Sequence, residues 1–243
     1  MNYILLMVFI MTIFRLTCDI TFPPVELSQS DGLLAIGGDL RAERILKAYS
    51  QGIFPWYNED SPILWWSPDP RLILIPDQMR ISRSLRQLIK KNKFRVTIDT
   101  AFEQVIKNCA KSNHRDEDGT WILPEMVQAY INLFRLGYAH SVESWLDDRL
   151  VGGLYGISLG GVFFGESMFY YESGASKVAF VYLVNRLIEW GFTLIDCQVS
   201  TDYLKDFGAI EIPRPDFIAL LNSALYAQSS EGIKCGQLFN KNP

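Results

Sequence analysis

The feature that most constrains the fold of this chain is a run of three extended segments, 139–146, 150–158 and 162–170, interrupted by Asp147-Asp148-Arg149 and Leu159-Gly160-Gly161. Both interruptions are good turn formers, so each segment can reverse onto the next and the three read as an antiparallel meander. A helical pattern over 175–190 then leads to a short extended segment, 193–197, next to the polar pair Asp196 and Gln198. Upstream, extended segments at 71–75 and 94–98 alternate with amphipathic helices at 82–91, 102–110 and 124–136. The class is α+β with a mixed, largely antiparallel sheet. Before it stands a short helix over 41–51, patterned by Ile45, Leu46 and Tyr49 and entered from the Gly37-Gly38-Asp39 turn, where Asp39 or a neighbour caps it. Two domains are expected: a small irregular α/β unit over 1–70 and a larger domain over 71–243.

With 243 residues, 49% of them apolar, the chain is long enough for a substantial core. Cys18, Cys109, Cys197 and Cys235 have no paired spacing, which speaks against a disulfide framework or a zinc ribbon and fits reduced thiols in the cytoplasm. His114 and His140 are the only histidines, and neither has ligand-like neighbours, so no metal is expected. Nor is there a Walker loop, a dinucleotide fingerprint or a nucleophile elbow, so the sequence calls for no cofactor and no covalent intermediate. Residues 3–14 are apolar except Thr12, too short a run for a membrane span. They read as a buried first strand, an upstream extension or, less simply, a targeting segment.

The net charge of −4 hides an uneven distribution: seven basic residues and no acidic one lie between Arg80 and Arg95, leaving 16 basic against 27 acidic elsewhere. Arg83, Arg86 and Lys90 recur at helical spacing on one face, opposite Leu85, Leu88 and Ile89. The face is either solvated or a phosphate-binding strip, and like charges so spaced repel unless a polyanion meets them. The stretch Gly52-Ile53-Phe54-Pro55-Trp56-Tyr57, followed by Trp65-Trp66-Ser67-Pro68-Asp69-Pro70-Arg71, crowds three tryptophans and four prolines into a segment with no helical pattern. It is either a buried aromatic plug or a stacking surface stiffened by proline.

Together with Asp31-Gly32-Leu33-Leu34-Ala35-Ile36-Gly37-Gly38-Asp39-Leu40, Gly165-Glu166-Ser167-Met168-Phe169 and Leu194-Ile195-Asp196-Cys197-Gln198, that stretch makes the chain resemble the bacterial leucyl/phenylalanyl-tRNA–protein transferases from about Phe22 to about Phe217. The resemblance implies a GNAT-like acyltransferase domain. It implies transfer of leucine or phenylalanine, with methionine a third candidate, from aminoacyl-tRNA to proteins with N-terminal Arg or Lys, creating an N-degron in the cytoplasm with no membrane involved. Gln198 would contact the attacking amine and Asp196 would orient it. Glu166, costly inside an apolar strand without a partner, is a structural anchor or the group that holds a substrate amine or a basic acceptor side chain. Leu154, Phe163, Gly165, Leu183, Leu187 and Ile195 would form the side-chain pocket, although each could equally be ordinary core. Trp56 and Trp121 would hold the terminal adenosine, and Arg83, Arg86 and Lys90 the tRNA stem. Tyr203 stands where relatives commonly have histidine. Two other classes share parts of this pattern. An acyl-CoA N-acetyltransferase would need a pyrophosphate turn that is absent after Gln198, and a non-catalytic tRNA-binding protein would not need Asp196, Gln198 and Glu166 together.

Overall fold

The computed structural model describes residues 13–111 and 122–229. The apolar segment before Ile13, and with it His114, Trp121 and Cys235, lies outside the described residues. The first part of the chain forms β1 (Phe14–Leu16), β2 (Leu33–Gly37), α1 (Ala42–Ser50), β3 (Phe54–Pro55), β4 (Leu64–Trp66), β5 (Arg71–Leu74), α2 (Arg83–Lys90), β6 (Arg95–Ile98) and α3 (Phe102–Lys111). After the gap come α4 (Pro124–Arg135), β7 (Ala139–Leu146), β8 (Arg149–Leu159), β9 (Val162–Tyr170), α5 (Ala175–Glu189), β10 (Leu194–Gln198), α6 (Asp202–Asp206), β11 (Ile210–Ile212) and α7 (Arg214–Ser229).

Local chemistry explains most of these boundaries. Asp147 and Asp148 both take positive φ, the conformation a two-residue hairpin turn requires, so Arg149 already belongs to β8. The chain leaves α4 and α5 in the same way. Gly137 and Gly191 adopt left-handed φ, and the next aromatic residue reaches back five positions, Tyr138 N–H to the Leu133 carbonyl and Phe192 N–H to that of Leu187. At the start of α2, the Ser82 hydroxyl accepts the Leu85 N–H at 3.2 Å. Asp39 does not cap α1 itself: it accepts the N–H of Arg41, the residue directly before the helix, and pairs with the guanidinium groups of Arg41 and Arg44.

Two sheets result. The small one has four strands in the order β1-β2-β4-β3, so the aromatic stretch is a pair of short strands rather than an irregular loop. Within it Trp65 is a fully buried plug whose indole N–H donates to the Gly37 carbonyl, whereas Trp56 is 43% exposed. The large sheet has seven strands in the order β11-β5-β10-β9-β8-β7-β6. Its strands pair antiparallel except β9 with β10, which confirms the α+β class and the mixed, largely antiparallel sheet. Helices α2 and α5 cover one face of this sheet, and α3, α4 and α7 cover the other together with α1 and the small sheet. Two apolar cores therefore lie on opposite faces, and the small sheet shares one of them with the large sheet. Sequence patterning did not anticipate β11 or α7, whose Phe217 and Leu221 help close that shared core.

Candidate active site

The parallel pair β9 and β10 is where the sheet opens. Its ladder runs Leu194↔Val162, Ile195↔Phe163 and Asp196↔Phe164, then stops. Both strands carry a bulge at that level. Against β8, β9 has Tyr155↔Ser167 followed by Gly156↔Gly165, so Glu166 is the extra residue. Against β5, β10 has Asp196↔Ile73 followed by Gln198↔Leu72, so Cys197 is the extra residue. A bulge leaves one residue without a cross-strand partner and re-aims its side chain. The β9 bulge also exchanges faces: Val162 and Phe164 share a core with Phe169, while Phe163 and Met168 pack in the other.

Between the parted strands lies a cavity of about 520 Å³. Its lining is drawn from both cores, on the two faces of the sheet. On the α5 side it is apolar, walled by Leu154, Phe163, Phe180, Leu183 and Ile195. On the other side it meets Tyr155, Glu166 and Gln198, with Phe54, Pro55 and Trp56 at the wall supplied by the small sheet. Two glycines make room. A side chain at Gly156 would collide with the Phe164 carbonyl and, at 2.6 Å, with the Phe163 ring, so only glycine lets that ring come this close to β8. At Gly165 a Cβ would meet nothing nearer than the Asp196 carbonyl at 3.8 Å, which leaves the backbone open to a ligand.

Glu166 is the polar centre. Its Oε1 accepts from the Tyr49 hydroxyl at 2.7 Å and from Gln198 Nε2 at 3.1 Å, and its Oε2 accepts from the Tyr130 hydroxyl at 2.9 Å. The two hydroxyls are themselves 2.7 Å apart. This triangle has three short contacts but only two hydroxyl protons, so all three are hydrogen bonds only when Glu166 carries the third. Electrostatics agree. Burial pushes the Glu166 carboxyl up from 4.5 to about 7, partly opposed by the Tyr49, Tyr130 and Gln198 hydrogen bonds and reinforced by the charge of Asp196. Burial, and then the Glu166 charge, hold both tyrosine hydroxyls well above their usual range.

Asp196 faces away from the cavity. It is fully buried, and its two oxygens accept from Arg71, Nε to Oδ1 at 2.8 Å and Nη2 to Oδ2 at 2.6 Å. Oδ1 also accepts the backbone N–H of Gln198 at 2.9 Å. Gln198 has a left-handed φ of 62°, and its Nε2 is committed to Glu166, which leaves its Oε1 to accept from a ligand. Cys197 lines the cavity, but burial, and then the Asp196 charge, push its thiol far up, so it is a poor nucleophile.

The structure brings Glu166, Gln198, Leu154, Phe163, Gly165, Leu183, Ile195 and Trp56 together around one cavity. Leu187 is buried in the adjoining core and does not line it, and Asp196, also off the lining, accepts the Gln198 backbone N–H from behind. Trp121 lies outside the described residues. Arg83, Arg86 and Lys90 are all exposed along α2 while Leu85 is buried, as the spacing predicts. Tyr203 lines the apolar end; burial raises its hydroxyl to about 12, partly opposed by the nearby Ser176 side chain. Sequence reasoning missed three contributors. Tyr49 and Tyr130 sit on the apolar faces of α1 and α4 and read as core, and Arg71 opens a strand that is otherwise Leu-Ile-Leu. An arginine at the head of a four-residue buried strand was the one available signal. Among the described residues no group of three His, Cys, Asp or Glu side chains could hold a metal ion.

The chain has close relatives. The sequence profile of the leucyl/phenylalanyl-tRNA protein transferases matches residues 73–222, and that of their N-terminal domain matches residues 38–69. A leucyl/phenylalanyl-tRNA–protein transferase of Syntrophobacter fumaroxidans is 57% identical over 229 residues, spanning 93% of this chain and 98% of that protein. One from an Anaeromyxobacter species is 57% identical over 215 residues, spanning 88% and 92%. Among solved structures, a GCN5-related N-acetyltransferase from Kribbella flavida is a distant likeness, with a TM-score of 0.36 and 14% identity over 68% of this chain and 59% of that one.

Proposed function

Since this chain belongs to the leucyl/phenylalanyl-tRNA–protein transferase family, we propose that the cavity is where it moves an aminoacyl group from tRNA to a protein amine. The observation that carries the reading is the division of the cavity: an apolar half walled by Leu154, Phe163, Phe180, Leu183 and Ile195, suited to a leucine or phenylalanine side chain, beside Gly165 and a polar half that holds Glu166 and Gln198. Trp56, exposed at the wall, offers its ring to the terminal adenine. In the reaction the acceptor nitrogen bonds to the ester carbonyl, the bond from that carbonyl to the ribose oxygen breaks, and the proton lost by nitrogen ends on the ribose oxygen. The ester is already activated, so no ATP is consumed. A glutamine amide is too weak a base to take that proton outright. Gln198 Oε1 instead accepts a hydrogen bond from the amine and sets its line of attack. Glu166 supplies negative charge for an ammonium group, either of the bound aminoacyl moiety or of a basic acceptor.

Acceptors beginning with Arg or Lys follow from the family reading, as do a cytoplasmic setting and an N-degron product. No helix among the described residues is long and apolar enough to cross a membrane. Incubating the protein with radiolabelled leucyl-tRNA and an Arg-starting model protein tests the reading. Label should enter that protein and not its Glu-starting counterpart, and absence of label from both would refute it. The exposed strip on α2 carries its own expected result. Converting Arg83, Arg86 and Lys90 together to Ala should flatten the dependence of log Kd for tRNA on log salt by roughly one unit per lost phosphate contact. An unchanged slope would place the RNA on another surface.

A further inference from the structure

We propose that Arg71 is a positioning residue for Gln198: acting through Asp196, it holds the end of β10 in the left-handed bend that aims the Gln198 amide into the cavity. The role rests on the transferase reading and assigns the means by which that site keeps its geometry. Among the described residues, five other than glycine have positive φ: Asn92, Asp99, Asp147, Asp148 and Gln198. Asn and Asp tolerate the left-handed region because their short side chains bond the local backbone, whereas Gln has no such advantage. Something must hold Gln198 there, and its N–H bond to Asp196 Oδ1 is the restraint at hand.

That restraint is only as rigid as Asp196. Arg71 fixes both carboxylate oxygens at once, and its guanidinium is clamped between the rings of Phe54 and Phe217, 4.8 and 4.6 Å from their centroids. Arg71, 1% exposed, thus ties β5, β10, β3 and α7 to one point. Phe54 also lines the cavity beside Trp56, so the same clamp sets the distance from that wall to Gln198. A lysine could balance the charge of Asp196 but could not engage both oxygens in one plane.

The experiment is a double-mutant cycle on transfer from leucyl-tRNA to an Arg-starting protein, using Arg71→Lys, Gln198→Ala and the double variant. Arg71→Lys should lower kcat about a hundredfold, the scale of a misplaced reacting group, and leave KM for leucyl-tRNA within about twofold. The double variant should be no slower than Gln198→Ala alone, because Arg71 has nothing left to position. Losses that multiply in the double variant, or an Arg71→Lys chain that transfers at the parent rate, would overturn the role. If Arg71→Lys does not unfold cooperatively, the neutral pair Arg71→Gln with Asp196→Asn is read in its place with the same two outcomes. No transfer by the parent chain would remove the functional reading and this role together, whereas transfer with multiplying losses removes the role alone.

Discussion

An Asp196→Ala chain should lose about 3–5 kcal/mol of stability, measured as a fall in the urea midpoint. The size follows from what is left behind. Arg71 would remain buried with its guanidinium facing only the Phe54 and Phe217 rings, and an uncompensated buried charge costs far more than the pair itself contributes. The Gln198 N–H would lose its acceptor as well. A surface pair supplies the control. Arg41 and Asp39 are 53% and 35% exposed, and Arg41→Ala should leave the urea midpoint close to that of the parent. An Asp196→Ala midpoint as close to the parent as that of Arg41→Ala would mean that water or a neighbour relieves Arg71, and the buried pair would lose its structural importance.

Replacing Glu166 with glutamine should raise the melting temperature at pH 8 and leave it almost unchanged at pH 5. The folded-state pKa of Glu166, about 7, lies above the unfolded value near 4.5, so the folded chain binds the extra proton between those limits and stability falls as pH rises through them. Above pH 7 the parent carries an ionised carboxylate in a site that disfavours it; the cost is at most roughly 3 kcal/mol, since Glu166 opens onto the cavity. Glutamine never ionises. Its amide can also close the triangle with Tyr49 and Tyr130 at any pH, by donating to one hydroxyl and accepting from the other. The same change should lower transfer by on the order of a hundredfold, because the charge that faces an ammonium is gone. In the parent, transfer should rise with pH through about 7 as Glu166 ionises and again near 8 as the acceptor amine loses its proton; Glu166→Gln should retain only the second limb. A lower melting temperature at pH 8 would show that the carboxylate is a net structural anchor and reverse its assignment.

Stability and activity pull in opposite directions at Glu166 and in the same direction at Asp196, and geometry explains the difference. Asp196 has both oxygens held by protein donors and belongs to the frame. Glu166 shares its oxygens among two tyrosines and an amide, and its remaining surface faces the cavity. Of the two carboxylates named from the sequence, only Glu166 lines the cavity.

How much of this was legible beforehand varies with the range of the interaction. Turn and cap chemistry is local, so the meander, the helix after it and the polar end of β10 could be read from Asp147-Asp148, Gly160-Gly161 and the pattern between them. The helical spacing of Arg83, Arg86 and Lys90 places them on one exposed strip for the same reason. Apolar lining residues are a harder case, because a leucine beside a cavity and a leucine in a core look alike in sequence: Leu183 lines the cavity and Leu187, one turn on, does not. What the sequence determined by itself was every element whose cause lies within a few residues. What only the tertiary structure decided was the paired bulges at Glu166 and Cys197, the Arg71 clamp and the tyrosines around Glu166. Those depend on which strands become neighbours, and a bulge or a buried ion pair has no cause in one strand alone.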